Sequence, residues 1–154
     1  MPAEYPPLLP REPVVTAAEM RAAEAAAIAA GTSGFELMRR AGEAAAAGIA
    51  AFYGPAPVLV LAGPGNNGGD GYVVAHALRA RRWPVEVAAL APPATETAQQ
   101  AAALWNAPVI DVAAAEPRFV LVDALFGTGL TRGLEEPLLS QFHVLAGASS
   151  VVVS

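Results

Sequence analysis

A chain of 154 residues that is 55% hydrophobic and 15% charged is about one domain long and apolar enough to bury a core instead of staying disordered. A net charge of −5, no Cys, and nine basic residues that are all Arg exclude disulfides, thiolate zinc sites, Schiff-base lysines and the lysine-dependent phosphate loop, and count against nucleic acid as a partner. No apolar run reaches the roughly 18 to 20 residues of a membrane span, and Met1 to Arg11 lacks the basic start and apolar stretch of a signal peptide, so a cytoplasmic protein with no membrane contact is expected.

Residues 1–13 hold too many prolines for regular structure and read as an N-terminal arm, leaving 14–154 as the domain. Thr16-Ala-Ala-Glu19 fits a capping box that opens an Ala-rich helix ending at Gly31, and Ser33-Gly-Phe-Glu36 opens a second that runs to about Gly54-Pro55. Val58 to Ala62 is a short apolar run suited to a strand covered on both faces, and it ends in glycine. Helical spacing then begins at Asp70 or Gly71 and stops before Trp83-Pro84. Val85 to Leu90 reads as a strand, Thr95 to Trp105 as a helix, Pro108 to Val112 as a third strand, and Phe119 to Val122 as a fourth that delivers Asp123. Leu134 to Ala146, with Pro137 in its first turn, reads as a helix, and Ser149 to Val153 as a fifth strand. Strands alternating with helices predict a three-layer αβα, Rossmann-like, doubly wound parallel sheet behind a helical pair.

Two stretches carry chemistry. Gly63-Pro-Gly-Asn-Asn-Gly-Gly-Asp-Gly71 contains five of the fourteen glycines between a strand and a helix, where a backbone free of side chains can approach a ligand and helix-start N–H groups favour an anion. It also satisfies the three-glycine dinucleotide pattern, but the acid expected at the end of the next strand is absent, since Leu90-Ala91 stands there and Glu86 lies within the strand. The alternative is a tight turn in which Asp70 caps the helix. In the second stretch, Val122 to Leu130, an apolar strand ends on Asp123 before a glycine-rich loop, which makes Asp123 a ligand or general base, or else an Asp bonded to its own turn. With the Asn67 amide oxygen it would suit a hard cation. His76, His143, Arg39-Arg40 and Arg79 to Arg82 read as structural or solvated residues, and the Met, Leu and Ala stripes of the first two helices as packing surface or a dimer seam.

Taken together, GPGNNGGDGYVVAHAL at 63–78, VDALFGTGL at 122–130 and LMRRAG at 37–42 resemble the YjeF N-terminal domain family, from about Thr16 to Ser154. The resemblance implies NAD(P)H-hydrate epimerase activity, the interconversion of the two epimers at the hydrated C6 of NADH or NADPH. It implies that Asn66, Asn67, Gly68, Gly69 and Asp70 form one substrate-binding loop and Gly127, Thr128, Gly129, Leu130, Thr131, Arg132 and Gly133 another. It further implies K+ on Asn67 and Asp123, catalytic proton transfer assisted by Asp123, a homodimer, and a dehydratase, fused or separate, that completes the repair. The family continues with an Asp-x-Pro-Ser-Gly motif that Ser154 does not reach, so the resemblance also implies either a fragment of a longer epimerase, weak or inactive by itself, or a shortened relative. Arg39 stands where relatives commonly carry Glu. A non-catalytic scaffold of the same fold is the alternative function, and an ordinary dehydrogenase is disfavoured by the missing acid near Leu90.

Overall fold

The computed structural model describes residues 15–154, and the arm expected over 1–13 lies outside the described residues. α1 (Ala17–Ala29) and α2 (Gly34–Phe52) are the expected helical pair. At Thr16 the capping box is complete: its hydroxyl accepts from the Glu19 N–H at 3.2 Å, and the Glu19 carboxylate accepts from the Thr16 N–H at 2.7 Å. At Ser33 only half of it forms. The Ser33 hydroxyl accepts from the Glu36 N–H at 3.1 Å, while the Glu36 carboxylate takes Arg39 at 2.8 Å and Arg40 at 2.7 Å. Two guanidinium partners compete successfully with one backbone N–H. Arg39 and Arg40 are therefore tied up on the helix surface, and they hold the Glu36 carboxyl down at about 2.

Beyond the pair, β1 (Val58–Ala62), α3 (Asn66–Ala80), β2 (Val85–Ala89), α4 (Glu96–Ala102), β3 (Val109–Asp111), β4 (Val120–Ala124), α5 (Leu138–Ala148) and β5 (Val151–Val153) alternate as expected. All strand pairs are parallel, in the order β3-β2-β1-β4-β5. The pleat divides the sheet's residues between two cores. Val58, Val60, Val87, Val120 and Val122 pack against α2, α3 and α4, while Leu59, Leu61, Ala88 and Leu121 meet Val112, Leu125 and Leu145 on the other face. This is the doubly wound, three-layer arrangement the alternation predicts. Among the described residues, no helix is long and apolar enough to cross a membrane.

Two helix starts differ from the sequence expectation. α3 begins at Asn66 and not at Asp70 or Gly71, so half of the glycine-rich loop is the first turn of a helix. Asp70 consequently does not cap it; Gly65 holds that position, with no side-chain bond. Glycine is a poor helix former, and the turn is helical because it packs where no side chain fits. A Cβ on Gly68 would collide with the Gly63 carbonyl, one on Gly69 would come within 2.6 Å of the Met38 sulfur, and one on Gly71 within 2.6 Å of the Ala124 Cβ. α5 begins at Leu138, four residues later than Leu134, with Pro137 in the cap position. The residue before a proline is disfavoured in helical conformation, so Glu136 cannot open the helix.

The glycines of the first loop are thus demanded by the protein's own packing, with one exception: a Cβ on Gly65 would meet nothing within 4 Å. Gly68→Ala is expected to cost several kcal/mol, because the obstruction is backbone and cannot rotate away, whereas Gly65→Ala should cost under ~1 kcal/mol. Urea unfolding of both variants measures the contrast, and equal destabilisation would contradict this packing account.

Candidate functional site

The site forms where the strand order reverses. The chain leaves β1 towards β2 and β3 on one side and returns to β4 on the other, which opens a crevice beyond the C-terminal ends of β1 and β4. Leu61 lies beside Asp123 and Ala62 beside Ala124 in register, and the Gly63 N–H donates to the Ala124 carbonyl at 2.9 Å. A Cβ on Gly63 would run into the Leu125 carbonyl. This contact sets the glycine-rich turn directly against the loop that follows β4.

Asn66, Asn67 and Asp70 share one cavity of about 650 Å³ with Gly127, Thr128, Gly129, Leu130, Thr131 and Arg132. The two stretches singled out in the sequence are therefore two walls of one space. Asp123 lines a smaller adjoining cavity of about 260 Å³ together with Asn67 and Asp70. Gly68, Gly69 and Gly133 line neither, the first two because they are buried residues of α3 packed against the Gly63 turn and Met38. The start of α3 carries no side-chain cap, and Gly65, Asn66 and Asn67 at that start line the larger cavity, a setting that suits an anion.

Each polar side chain has a definite support. Asn66 is held by Thr95, whose hydroxyl donates to the Asn66 amide oxygen at 2.6 Å, while the same hydroxyl caps α4 by accepting from the Ala98 N–H at 3.1 Å. Asn67 lies under Gly127, where an added Cβ would be 3.5 Å from the Asn67 Cβ. Asp123 is half-buried and accepts the Leu125 N–H on Oδ1 at 3.1 Å, so the bond to its own turn exists and leaves Oδ2 for a ligand. Asp70 is half-buried and accepts no hydrogen bond among the described residues. Burial, reinforced by the Glu24 carboxylate opposite, pushes its carboxyl up to about 6.

Asn67 and Asp123 line one cavity, otherwise bounded largely by apolar residues, and oxygen is the donor type that a hard cation such as K+ takes. The remaining sequence candidates lie elsewhere. His76 is exposed and its Nδ1 lies 3.1 Å from the Leu104 carbonyl, tying α3 to the end of α4, and His143 is exposed beside Phe142. Arg79 stacks over Trp105 at 5.0 Å. Glu86 pairs with Arg118 at 3.2 Å in mid-strand, so no acid waits at the end of β2. Thr95 and Glu24 were missed by sequence reasoning. Thr95 was read only as the first residue of a helix, and Glu24 sits in an Ala-rich stretch that offers no sequence signal of a site.

Residues 34–154 match the family described as YjeF-related protein N-terminus. An NAD(P)H-hydrate epimerase of Cereibacter sphaeroides is 42% identical over 77% of this chain and 65% of its own length, and one of Rhodobacter capsulatus is 44% identical over 79% and 65%. The chain thus spans just under two thirds of these relatives. A bifunctional NAD(P)H-hydrate repair enzyme of Pyrobaculum aerophilum is 36% identical over 80% of this chain and 28% of its own. The crystal structure of yeast ynu0 has the same fold, with a TM-score of 0.74 at 22% identity over 92% of this chain and 70% of that one.

The unpartnered Asp70 carboxyl has a consequence for stability. Its folded pKa of about 6 lies above an ordinary aspartate's, so the folded state holds the proton more tightly than the unfolded one, and stability falls as pH rises from about 4 to 6. Asp70→Asn is therefore expected to be more stable than the parent at pH 7 by about 1 kcal/mol, after allowance for solvent screening, and to lose that advantage below pH 4. Thermal melts across this range test it. A variant that is less stable at pH 7 would contradict the assignment.

Proposed function

The chain belongs to the family of YjeF-related protein N-termini, and from that premise we propose that it epimerises hydrated NADH and NADPH. The observation that carries the proposal is the convergence of Asn66, Asn67 and Asp70 with the Gly127 to Arg132 loop on one cavity beside an uncapped helix start. Phosphates of a dinucleotide suit the helix start and Arg132, and the hydrated ring would lie at the carboxylate end of the same space.

Hydration of the reduced nicotinamide ring puts a hydroxyl on the carbon next to the ring nitrogen. Inverting that centre requires no redox change. A proton given to the hydroxyl lets water leave as the nitrogen lone pair forms a C=N bond; water then adds to the opposite face and returns the proton. Asp70 suits this role better than Asp123. It accepts no hydrogen bond, and a carboxyl near 6 can both give and take a proton close to neutrality. Asp123, with one oxygen on Leu125 N–H, and Asn67 would hold K+, which when bound supplies fixed positive charge beside the phosphates. A homodimer, with the exposed Met20 of α1 at its seam, a dehydratase that consumes one epimer, and action in the cytoplasm belong to the same reading.

The test is conversion of one purified epimer of NADPH hydrate into the other, followed by chromatography. Asp70→Asn is expected to lower kcat by about 100-fold or more at every potassium concentration. Asp123→Asn should lower it by about tenfold or more at low potassium and recover partly as potassium rises, since a weakened ion site fills by mass action. Wild-type turnover by a folded Asp70→Asn variant would remove it from the mechanism, and indifference of the wild type to potassium would remove the ion.

A further inference from the structure

Glu24 stands on α1, which precedes the segment matched by the family, residues 34–154. It nevertheless lines the main cavity together with Asp70 and Arg132. It also lines, again with Asp70, an open side cavity of about 280 Å³ bounded by residues of α1, α2 and the starts of α3 and α4. Arg132 does not reach that side cavity. The two cavities share Glu24, Asn66 and Asp70, so the acidic groups stand where they adjoin, while Arg132, paired with Glu135 at 3.9 Å, lines only the larger one, which the α3 start also borders.

The side cavity has a second property. Ile28, Leu37, Met38 and Ala41 give it apolar walls, and Asn66 and Thr97 stand at its polar margin. Those walls suit the faces of a small ring, and the margin suits an amide group on that ring. Phosphates would be repelled from this end by two carboxylates.

Resting on the epimerase reading above, we propose that the side cavity is the subsite for the hydrated nicotinamide ring and that Glu24 is a catalytic residue there, its carboxylate stabilising the positive charge the ring acquires when its hydroxyl departs. The hydrated ring is neutral, and it becomes a cation only while the C–O bond is broken and the C=N bond formed. A fixed negative charge at that end acts on the transition state more than on the bound ground state, so it raises kcat and barely alters KM. Glu24 exchanges no proton in this step; the proton moves between the acid–base carboxyl and the departing or returning water.

Glu24→Gln keeps size and hydrogen bonding and removes only the charge. It is expected to lower kcat by about tenfold or more with KM within about threefold of the parent. Glu19→Gln, which weakens the capping box of the same helix without touching any of these cavities, serves as the control for loss of α1 structure and should keep kcat within about twofold, while Glu24→Asp should regain part of the loss. All variants are measured beside the full wild-type chain with purified NADPH-hydrate epimers. If the wild type turns over and Glu24→Gln matches it, or if Glu24→Gln raises KM at unchanged kcat, the role of Glu24 is overturned and the epimerase reading stands. If Glu19→Gln loses as much kcat as Glu24→Gln, the effect is helix integrity and the role is likewise overturned. No turnover by the wild type together with no binding of NADPH hydrate in calorimetry overturns the parent reading and this inference with it.

Discussion

Everything that makes this crevice a site depends on how closely two backbones approach at the ends of β1 and β4. The Gly63 N–H reaches the Ala124 carbonyl at 2.9 Å, and neither Gly63 nor Gly68 has room for a Cβ. The first contact pins the turn after β1 to the loop after β4, and the second seats the opening turn of α3 down upon the turn itself. With any side chain at these positions, α3 would be lifted from the sheet. Asn67 would then part from Gly127 and Asp70 from the space it shares with the second loop. The glycines serve this assembly before they serve any ligand.

The same approach creates the electrostatic character of the crevice. Sinking the start of α3 against the sheet carries Asp70, one turn further on, into a half-buried position where it finds no donor. Burial then penalises its charged form, and the Glu24 carboxylate adds to that penalty. Asp123, at the end of β4, receives the Leu125 N–H on one oxygen and keeps the other for a ligand. Two nearby carboxylates, one on α3 and one at the end of β4, thus differ in what surrounds them, and such a difference is what an acid–base site beside a cation site would require.

Support for the site comes from elements with no chemistry of their own. Thr95 caps α4 and holds Asn66 with one hydroxyl, so the cap of the first helix after β2 also fixes the first residue of α3. Met38 of α2 fills the space over Gly69, and Gly42 of α2 lets Val73 of α3 come close, since a Cβ there would lie 2.6 Å from Val73. The leading helical pair, which the sheet does not need for its pairing, is in this way part of the wall of the crevice.

From the sequence alone came the alternation of strands and helices, the parallel sheet, both capping signals and the two loops that meet, because each is written in local periodicity, in turn chemistry or in a specific glycine string. Residues such as Asp123 could be placed at a strand end by pattern, and the strand register then set it beside Leu61. What only the tertiary structure decided is where α3 begins, which of the carboxylates is deprived of partners, and that Glu24 belongs to the site at all. A helix built on Asn-Asn-Gly-Gly contradicts local propensity and exists because packing allows nothing larger. The state of Asp70 reflects burial by elements distant in sequence, and Glu24 reaches it across 45 intervening positions. Such effects arise from desolvation and charge at close range, and distance in space is what a linear pattern does not carry.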